Sequence, residues 1–407
     1  MNAEELTTAQ VARRLGVKPE TVYAYVSRGL LHSRRNADGR GSLFDAAEVD
    51  ALAAGGRRGV DAKVALAIQT EITLIDSGRL YYRGHDALKL ARSERYETVA
   101  SLLWTGELAP AEFVAPAGML ALAEAVTAPL PASARRTDRL RLIVAASAAA
   151  DPLRFDTSPA AVVATGRNLI GTMVEALPLR ASHQRRPSGS LADRLWPRLT
   201  AAEPTHAGLR ALNSALILLA DHDLAASTVA ARVAASTRAH PYAVVSAGLA
   251  ALDGPLHGAA SGIAYQMLVD ATRTGDALLA ISDRLRVGDF IPGFGHRLYP
   301  DGDPRAVMLM ALLPEVDGDA RADTQATIDA LATAFMRHAG FPPNIDFAIA
   351  ALALLTGMGP EAGETIFAVA RTAGWIAHGL EEYRDRSGRF RPSGRYAGRY
   401  PSAARTD

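Results

Sequence analysis

The chain of 407 residues contains no cysteine. This absence excludes disulfide bonds, thiolate zinc sites and a thiol nucleophile, and it fits a reducing compartment. Aromatic residues are also scarce, at 6% of the chain, although hydrophobic residues make up 49%. The apolar side chains are therefore mostly those of alanine, leucine and valine, which favours closely packed helices over β-sandwiches. The composition thus predicts a globular and largely helical protein.

Net charge is nearly absent too, because 44 lysines and arginines are balanced by 43 aspartates and glutamates. No chain-wide field would hold such a protein on nucleic acid or on a membrane surface, so any such binding is expected to be local. The sequence lacks an uncharged apolar run long enough to span a bilayer, and its start, MNAEELTTAQ, lacks the apolar core of a signal peptide. We therefore expect a cytoplasmic protein that makes no membrane contact.

Residues 1–54 form a first predicted unit with a helix-turn-helix pattern. A short helix is predicted to end at Gly16 and a second one at Gly29. The residues after the second helix predict a small β-wing and then a third helix. Residues 55–60, GGRRGV, contain too few apolar side chains to pack, and they predict a linker.

This first unit carries a local excess of positive charge. Between Gln10 and Leu43, seven lysines and arginines are opposed by only two acids. The pattern resembles the DNA-binding heads of the MerR and excisionase type, in which the second helix enters the major groove and the wing touches the backbone. The resemblance implies a set of DNA-contacting residues: Lys18, Thr21, Arg28, Arg34, Arg35 and Arg40. The alternative is a head used only for packing or dimerisation, with its arginines on a solvated face.

The body of the chain, from residue 61 onward, has the 3.6-residue apolar period of helices. Two examples are the series Leu209, Leu212, Leu216, Leu219 and the series Ala260, Ile263, Met267, Ala271. Glycine- and proline-rich joints divide the body into helical hairpins. The string GFG at 293–295 lacks the third glycine of a dinucleotide-binding motif and follows no convincing βαβ unit, so a Rossmann fold is disfavoured.

Three of the ten histidines lie beside turn-forming residues: His222 in ADHD, His257 in GPLHG and His296 in GFGHRLYP. The last two are expected at helix starts, where the helix N-terminus favours the neutral ring. Asp346, in PPNIDF, lies between apolar residues, a setting that raises a carboxyl pKa and suits a general base. Together these groups predict a site that removes a proton next to a carbonyl and holds the enolate. Three arginines in turn-like settings are suited to bind carboxylates: Arg305, Arg371 and Arg391.

Several strings resemble, in order, the citrate synthase family from about Ile68 to Tyr400. They are IDSGRLYYRGHD, YETVASLLWTGEL, LILLADHDLAASTVAARVAAST, GPLHGAA, IPGFGHRLYPDGDPRA, PNIDF and FAVARTAGWIAHGLEE. The resemblance implies an all-α subunit of two domains behind the small winged helix-turn-helix. The large domain would comprise residues 61–260 and 371–407 and the small one 261–370, and the two would close over oxaloacetate and acetyl-CoA. It also implies a homodimer as the minimal functional unit.

The resemblance further implies the role of each site residue. Asp346 would remove a proton from the acetyl methyl group, His257 would hydrogen-bond the thioester oxygen, and His296 would polarise the oxaloacetate carbonyl. The oxaloacetate ligands would be His222, Arg305 and Arg371, with Arg391 reaching across from the partner subunit. The residues expected to bind CoA are Ile291, Pro292, Gly293, Phe294 and Gly295. Acetyl-CoA would act as a substrate, and neither a metal nor another cofactor would be needed.

The chain departs from the family pattern around the oxaloacetate pocket. Ala225 stands where asparagine is expected, Ala259 and Ser261 replace a glycine and an asparagine, and Pro300 replaces a frequent lysine. Loss of one hydrogen bond to a charged ligand costs about 1.5 to 3 kcal/mol, so the activity or the oxo-acid can differ. A 2-methylcitrate synthase is therefore an alternative. Another is a DNA-binding regulator that senses an acyl-CoA or an oxo-acid, which the basic head favours, whereas the base favours catalysis.

Overall fold

The computed structural model describes two sets of residues. In the N-terminal part they are 5–15, 17, 22, 26, 31, 33–35, 42–46 and 48–50, and in the rest they are 68–180, 189–286, 291, 293–316, 322–385 and 390. The described residues fall into two compact units, which divide between Gln69 and Thr70. Within these ranges, no helix combines the length and the apolar character needed to cross a bilayer.

The N-terminal unit contains a three-stranded antiparallel sheet in the order β1-β3-β2. Its strands are β1 (Glu5–Thr7), β2 (Arg34–Arg35) and β3 (Ser42–Asp45). Helix α1 (Thr8–Leu15) follows β1 directly, and the Thr7 amide and hydroxyl each donate to Gln10 Oε1 at 2.8 Å. The strand pair β2–β3 confirms the predicted wing.

A small apolar core holds this unit together. Its buried members are Leu6, Val11, Ala12, Val22, Leu31, Phe44, Ala46 and Val49. Most of the predicted second helix and the predicted linker at 55–60 lie outside the described residues, as do Lys18, Thr21, Arg28 and Arg40. Arg34 and Arg35 form β2, the outer strand of the wing.

The second unit begins with a small antiparallel sheet followed by helices. The strands are β4 (Thr73–Asp76), β5 (Arg79–Tyr82) and β6 (His85–Asp86). Asp76 pairs with Arg79 across a two-residue turn at Ser77 and Gly78, whose φ angles are +49° and +73°. Positive φ at both positions is what a tight hairpin of this kind requires, and glycine adopts it freely.

The helices of the second unit follow in chain order. They are α2 (Ala87–Ser93), α3 (Tyr96–Thr105), α4 (Ala117–Thr127), α5 (Arg136–Ala150), α6 (Pro159–Glu175), α7 (Leu191–Leu199), α8 (His206–Leu219), α9 (Ala226–Ser236), α10 (Pro241–Leu252), α11 (Ala260–Thr274), α12 (Ala277–Arg286), α13 (Pro304–Leu312), α14 (Ala322–Ala339), α15 (Ile345–Leu355) and α16 (Ala362–Arg384). This architecture confirms the predicted helical body. Its division into a large and a small domain stays a prediction.

Helix α16 is the centre of the second unit. Every residue from Ala362 to Glu382 is buried, and the helix contacts α6, α8, α9 and α10. A helix that is enclosed on all sides places polar residues next to neighbouring segments, where they need partners. This position gives α16 the role of a scaffold for the cavity described below.

The apolar series predicted for α11 is wrong at one of its four positions. In α11, Ala260, Met267 and Ala271 are buried as expected, but Ile263 is 41% exposed. Ala264 instead lies on the buried face. At about 100° per residue, Ile263 lies at the edge of the helix face that these residues share, and the sequence period alone does not separate edge from core.

Candidate active site

A cavity of about 440 Å³ in the second unit brings together six of the residues predicted for catalysis and for binding of the oxo-acid. They are His222, His257, His296, Arg305, Asp346 and Arg371. The three histidines come from the connections α8–α9, α10–α11 and α12–α13, and the other three residues from α13, α15 and α16. The fold thus gathers side chains that are far apart in the sequence.

Asp346 lies in the first turn of α15 and keeps part of its surface open. Asn344 caps this helix by accepting a hydrogen bond from the Asp346 amide at 3.0 Å. Among the described residues, the enclosed Asp346 Oδ1 has no hydrogen-bond partner. Burial raises the pKa of Asp346 to about 7, with Arg305 and Arg371 opposing the shift and Asp303 adding to it. A carboxylate with a pKa near neutrality is well matched to accept a proton from carbon.

His257 lies in the turn that precedes α11, as its glycine-proline neighbours predict. Its Nε2 is 2.8 Å from the hydroxyl of Ser227, and its ring packs edge-on against Phe367 with centroids 5.4 Å apart. Burial, followed by the charge of Arg371, lowers the pKa of His257 to about 4. The ring is therefore neutral at pH 7, and it can serve as an uncharged hydrogen-bond donor.

His296 is the tautomer that can donate a hydrogen bond from Nε2. Its Nδ1 accepts a hydrogen bond from the Leu298 amide at 3.1 Å, which places the proton of the neutral ring on Nε2. Burial and the charge of Arg305 lower its pKa to about 4, with Asp303 opposing the shift. The expectation of a helix start is wrong here, because α13 begins only at Pro304, after an aspartate cap.

His222 is buried beside a tyrosine that the sequence analysis did not identify. Its Nε2 is 3.0 Å from the hydroxyl of Tyr299, and its ring meets that of His296 edge-on with centroids 5.1 Å apart. Burial lowers the pKa of His222 well below its usual value, and the charges of Arg305 and Arg371 add to the effect. A neutral ring in this position can donate or accept one hydrogen bond without adding charge.

Arg305 is already paired with a carboxylate of the protein. Its Nε and Nη2 donate to the two oxygens of Asp303 at 2.9 and 2.8 Å. Asp303 also accepts hydrogen bonds from the Arg305 amide and, at 3.0 Å, from the Ile345 amide, which begins α15. Only Nη1 of Arg305 takes no part in this pair, so its contribution to an external carboxylate is smaller than a full bidentate contact.

Arg371 lies in the interior of α16, so the expected turn-like setting is wrong, but its guanidinium group is well suited to an anionic ligand. The side chain is 1% exposed, and its Nε donates to the Leu219 carbonyl at 2.8 Å. Its guanidinium carbon lies 4.8 Å from the Phe367 ring centroid. Within the described part of the chain, its Nη1 is buried without a hydrogen-bond partner. A buried guanidinium nitrogen that lacks a partner strongly favours a carboxylate in the adjoining cavity.

The segment predicted to bind CoA lies against the start of α15. Gly293 and Gly295 line the cavity, whereas Ile291 and Phe294 are buried. Asn344 donates from its backbone to Gly293 at 2.8 Å and from its side chain to Gly295 at 2.9 Å. These bonds hold the segment next to Asp346. Pro292 and Arg391 lie outside the described residues.

Four residues that hold the predicted ones in place were missed: Ser227, Tyr299, Asp303 and Asn344. Asp303 has a local signal, since an aspartate directly before proline is typical of a helix N-cap. Tyr299 and His222 are 77 residues apart, and no local pattern relates them. Of the positions that depart from the family pattern, Ala225 lines the cavity. No cluster of potential metal ligands occurs among the described residues.

The chain matches two known families. The citrate synthase C-terminal domain matches residues 62–393, and a helix-turn-helix domain matches residues 5–57. Citrate synthase of Haloferax volcanii is 32% identical over 82% of this chain and 94% of the relative. 2-Methylcitrate synthase 2 of Corynebacterium glutamicum is 29% identical over 79% of this chain and 90% of the relative.

Solved structures show the same fold. Citrate synthase from Thermoplasma acidophilum, in a ternary complex with carboxymethyl coenzyme A and oxaloacetate, has a TM-score of 0.71 at 25% identity. Citrate synthase from Thermotoga maritima has a TM-score of 0.67 at 27% identity. Each comparison covers 84% of this chain and 98% of the other.

Proposed function

Because this chain belongs to the citrate synthase family, and is thus an enzyme that transfers an acyl group in a condensation reaction, we propose that its substrates are acetyl-CoA and oxaloacetate. The products would be citrate and CoA. The observation that carries the proposal is a cavity that contains a base with a pKa of about 7, three neutral imidazoles and a buried guanidinium nitrogen that has no partner among the described residues.

The first step is removal of a proton from the acetyl methyl group. The ionised carboxylate of Asp346 accepts this proton, and the electrons of the C–H bond pass into the thioester to form the enol or enolate. His257 stabilises the developing charge by donating a hydrogen bond to the thioester oxygen. The Ser227 hydroxyl, at 2.8 Å from Nε2, fixes the orientation of this ring.

The second step is formation of the carbon–carbon bond. His296 donates from Nε2 to the ketone oxygen of oxaloacetate, so that the carbonyl carbon becomes more electrophilic. The enol carbon attacks it and gives citryl-CoA. Addition of water to the thioester then releases citrate and CoA. A site that closes during condensation keeps water away from the enolate until the new bond has formed.

Oxaloacetate carries two carboxylates and a ketone, so its binding requires several cationic groups and hydrogen-bond donors. Arg371 supplies its Nη1, which has no partner among the described residues, Arg305 supplies the Nη1 that is left free by Asp303, and His222 supplies a neutral ring nitrogen. We assign the fourth contact to Arg391 from a second subunit, with CoA on residues 291–295. The homodimer, the closure of a small domain on a large one and the cytoplasmic location belong to the same proposal.

The substrate is tested by thiol release with acetyl-CoA and propionyl-CoA, each against oxaloacetate and other 2-oxo-acids. We expect the highest kcat/KM with acetyl-CoA and oxaloacetate. One methylene in an apolar pocket changes selectivity by about 10- to 200-fold, so the two acyl-CoAs will be separated clearly. A preference for propionyl-CoA would instead assign a 2-methylcitrate synthase. Absence of thiol release with every pair would contradict the enzymatic proposal.

DNA binding by the N-terminal unit is a second candidate function. It is supported by the helix-turn-helix match over residues 5–57, by the antiparallel wing and by the local excess of positive charge. The enzyme and the DNA-binding head are compatible in one chain, because their residues belong to different compact units. A regulator that reads the acyl-CoA or oxo-acid in the second unit is the corresponding alternative to a working enzyme.

The salt dependence of DNA binding tests this second function. We expect the full-length protein to bind duplex DNA with an affinity that falls steeply as salt rises, because phosphate contacts release counterions. Replacement of Arg28 and Arg40 by glutamine should reduce the slope of log K against log salt by about 0.9 for each lost contact. The matched control replaces Arg273 and Arg337, two exposed arginines of the second unit, by glutamine and should leave this slope unchanged. Absent or salt-independent binding would contradict a DNA-binding role.

A further inference from the structure

A buried aspartate lies next to His222 in the chain and has no part in the mechanism above. Asp221 is completely buried, and its Oδ2 accepts a hydrogen bond from the Thr73 hydroxyl at 2.6 Å. His378 Nε2 lies 3.3 Å and 3.4 Å from its two carboxylate oxygens. A buried carboxylate is retained only where such donors and nearby positive charge compensate the loss of water.

His378 is held in one orientation by a second group of charges. Arg232 Nη1 is 2.7 Å from His378 Nδ1 and 2.7 Å from a Glu381 oxygen, and its Nε is 2.6 Å from Glu382. A guanidinium group can only donate, so Nδ1 accepts and the ring proton is on Nε2. That proton points to Asp221. All of these side chains are buried.

The chain segment that carries His222 is attached to α16 at three successive positions. Arg371 Nε donates to the Leu219 carbonyl at 2.8 Å, and the Gly374 amide approaches the Ala220 carbonyl at 3.0 Å. His378 contacts Asp221 one turn further along. Residues 371, 374 and 378 have the i, i+3, i+7 spacing of a single helix face.

Gly374 shows how closely this segment approaches the helix. A Cβ atom at this position would lie only 2.4 Å from Asp221 Oδ1 and 2.5 Å from the Ala220 carbonyl oxygen. No side chain larger than hydrogen fits there without a shift of the segment. The close packing of this segment on α16 therefore requires glycine at position 374, and it is supported by the hydrogen-bond donor of His378.

We propose that Asp221 and His378 are positioning residues for the oxo-acid, which fix His222 and Arg371 without touching the substrate themselves. Asp221 interacts electrostatically with the guanidinium group of Arg371, whose Nη1 has no partner among the described residues. The carboxylate thus keeps a buried cation in place before the ligand arrives. His378 keeps that carboxylate oriented. The inference rests on the proposed function, since it assigns the oxo-acid to these two ligands.

The test compares His378→Leu with His378→Gln in the full chain. Calorimetry gives the Kd of oxaloacetate, and thiol-release kinetics give the KM of acetyl-CoA. We expect His378→Leu to raise the Kd of oxaloacetate by about tenfold or more, the effect of one lost hydrogen bond to a charged group. The KM of acetyl-CoA should change much less, because neither Asp221 nor His378 belongs to the segment proposed to bind CoA. Glutamine should restore most of the affinity, because its amide can accept from Arg232 and donate to Asp221.

The matched control is Thr365→Val on the same helix. Thr365 is completely buried, its hydroxyl donates to the Glu361 carbonyl at 2.7 Å, and it lies more than three helical turns before His378. We expect this variant to change Tm but not the Kd of oxaloacetate. If His378→Leu does not fold, Thr73→Val removes a different donor to Asp221 and should raise the same Kd.

Two results would overturn the inference. One is a Kd of oxaloacetate that is equal in the wild type, His378→Leu and Thr73→Val. The other is a glutamine variant as weak as the leucine variant with both substrates affected alike. A wild-type protein that does not bind oxaloacetate would overturn the proposed function and the inference with it, whereas binding with unchanged variants would overturn the inference alone.

Discussion

Replacement of Asp346 by asparagine is expected to lower the kcat of thiol release by about 10²- to 10⁴-fold. The amide keeps the size of the carboxylate but cannot accept a proton from the acetyl methyl group. Substrate binding should change much less, because the groups proposed to bind oxaloacetate are the guanidinium and imidazole side chains. The measurement is steady-state thiol release with acetyl-CoA and oxaloacetate at pH 8, with KM determined for both substrates.

The stability of this variant separates a lost base from a lost fold. The pKa of Asp346 is about 7 in the folded chain, against 3.8 for an unperturbed aspartate. Between about pH 4 and pH 7 this carboxyl is ionised in the unfolded chain but still protonated in the folded one, so the free energy of unfolding falls as pH rises, and the loss is complete above pH 7. Asparagine carries no such penalty, so at pH 8 the Tm of Asp346→Asn should equal or exceed that of the wild type.

Two further observations complete the test of the base. The kcat/KM of the wild type should rise with pH through about 7, because only the ionised form of Asp346 accepts a proton. His257 and His296, with pKa values of about 4, are neutral throughout this range and add no second step to the pH profile. The matched control Asp329→Asn changes an exposed carboxylate of α14 and should leave the rate unchanged. Asp346→Asn turnover within tenfold of the wild type would show that another group is the base.

Replacement of Arg371 by methionine is expected to raise the Kd of oxaloacetate by about two to three orders of magnitude. The reason is the buried Nη1, which has no partner among the described residues and would gain a substrate carboxylate. Lysine should recover only part of the affinity, since an ammonium group lacks the planar arrangement of donors. Calorimetric titration with oxaloacetate gives the Kd of the wild type, of Arg371→Met and of Arg371→Lys.

The control for Arg371 is Arg273→Met, an exposed arginine of α11. It should bind oxaloacetate like the wild type, which excludes a general effect of lost positive charge. Tm is measured in parallel, because Asp221 loses a compensating charge when Arg371 is removed. An Arg371→Met variant with wild-type affinity and wild-type Tm would contradict the assignment of this arginine to a substrate carboxylate.

The identity of the chemical groups was predictable because their neighbours in the sequence are distinctive. Asp346 lies among prolines and apolar residues, and its burial raises the pKa as expected. The histidines beside glycines and the buried Arg371 also line the cavity that the resemblance implied. Apolar neighbours favour burial, and glycine and proline set the backbone freedom, so such residues can be singled out before the fold is known.

The partners of these groups were not predictable, because they depend on contacts between distant segments. Ser227 is 30 residues from His257, and Asp221 is 157 residues from His378. No periodicity or motif relates such pairs. The same limit explains the misplaced Ile263, since an apolar side chain at the edge of a helix face is covered or exposed according to what packs beside it.

The carboxylate of Asp303 has a mechanical consequence for the enzyme. It bonds both to Arg305, a proposed ligand of the oxo-acid, and to the first amide of the helix that carries Asp346. One carboxylate therefore links Asp346, the proposed proton acceptor, to Arg305, a proposed ligand of the oxo-acid. In the proposed closure of the small domain on the large one, Asp346 and Arg305 would move together relative to His222 and His257, so the proton acceptor and the oxo-acid ligand would keep their alignment.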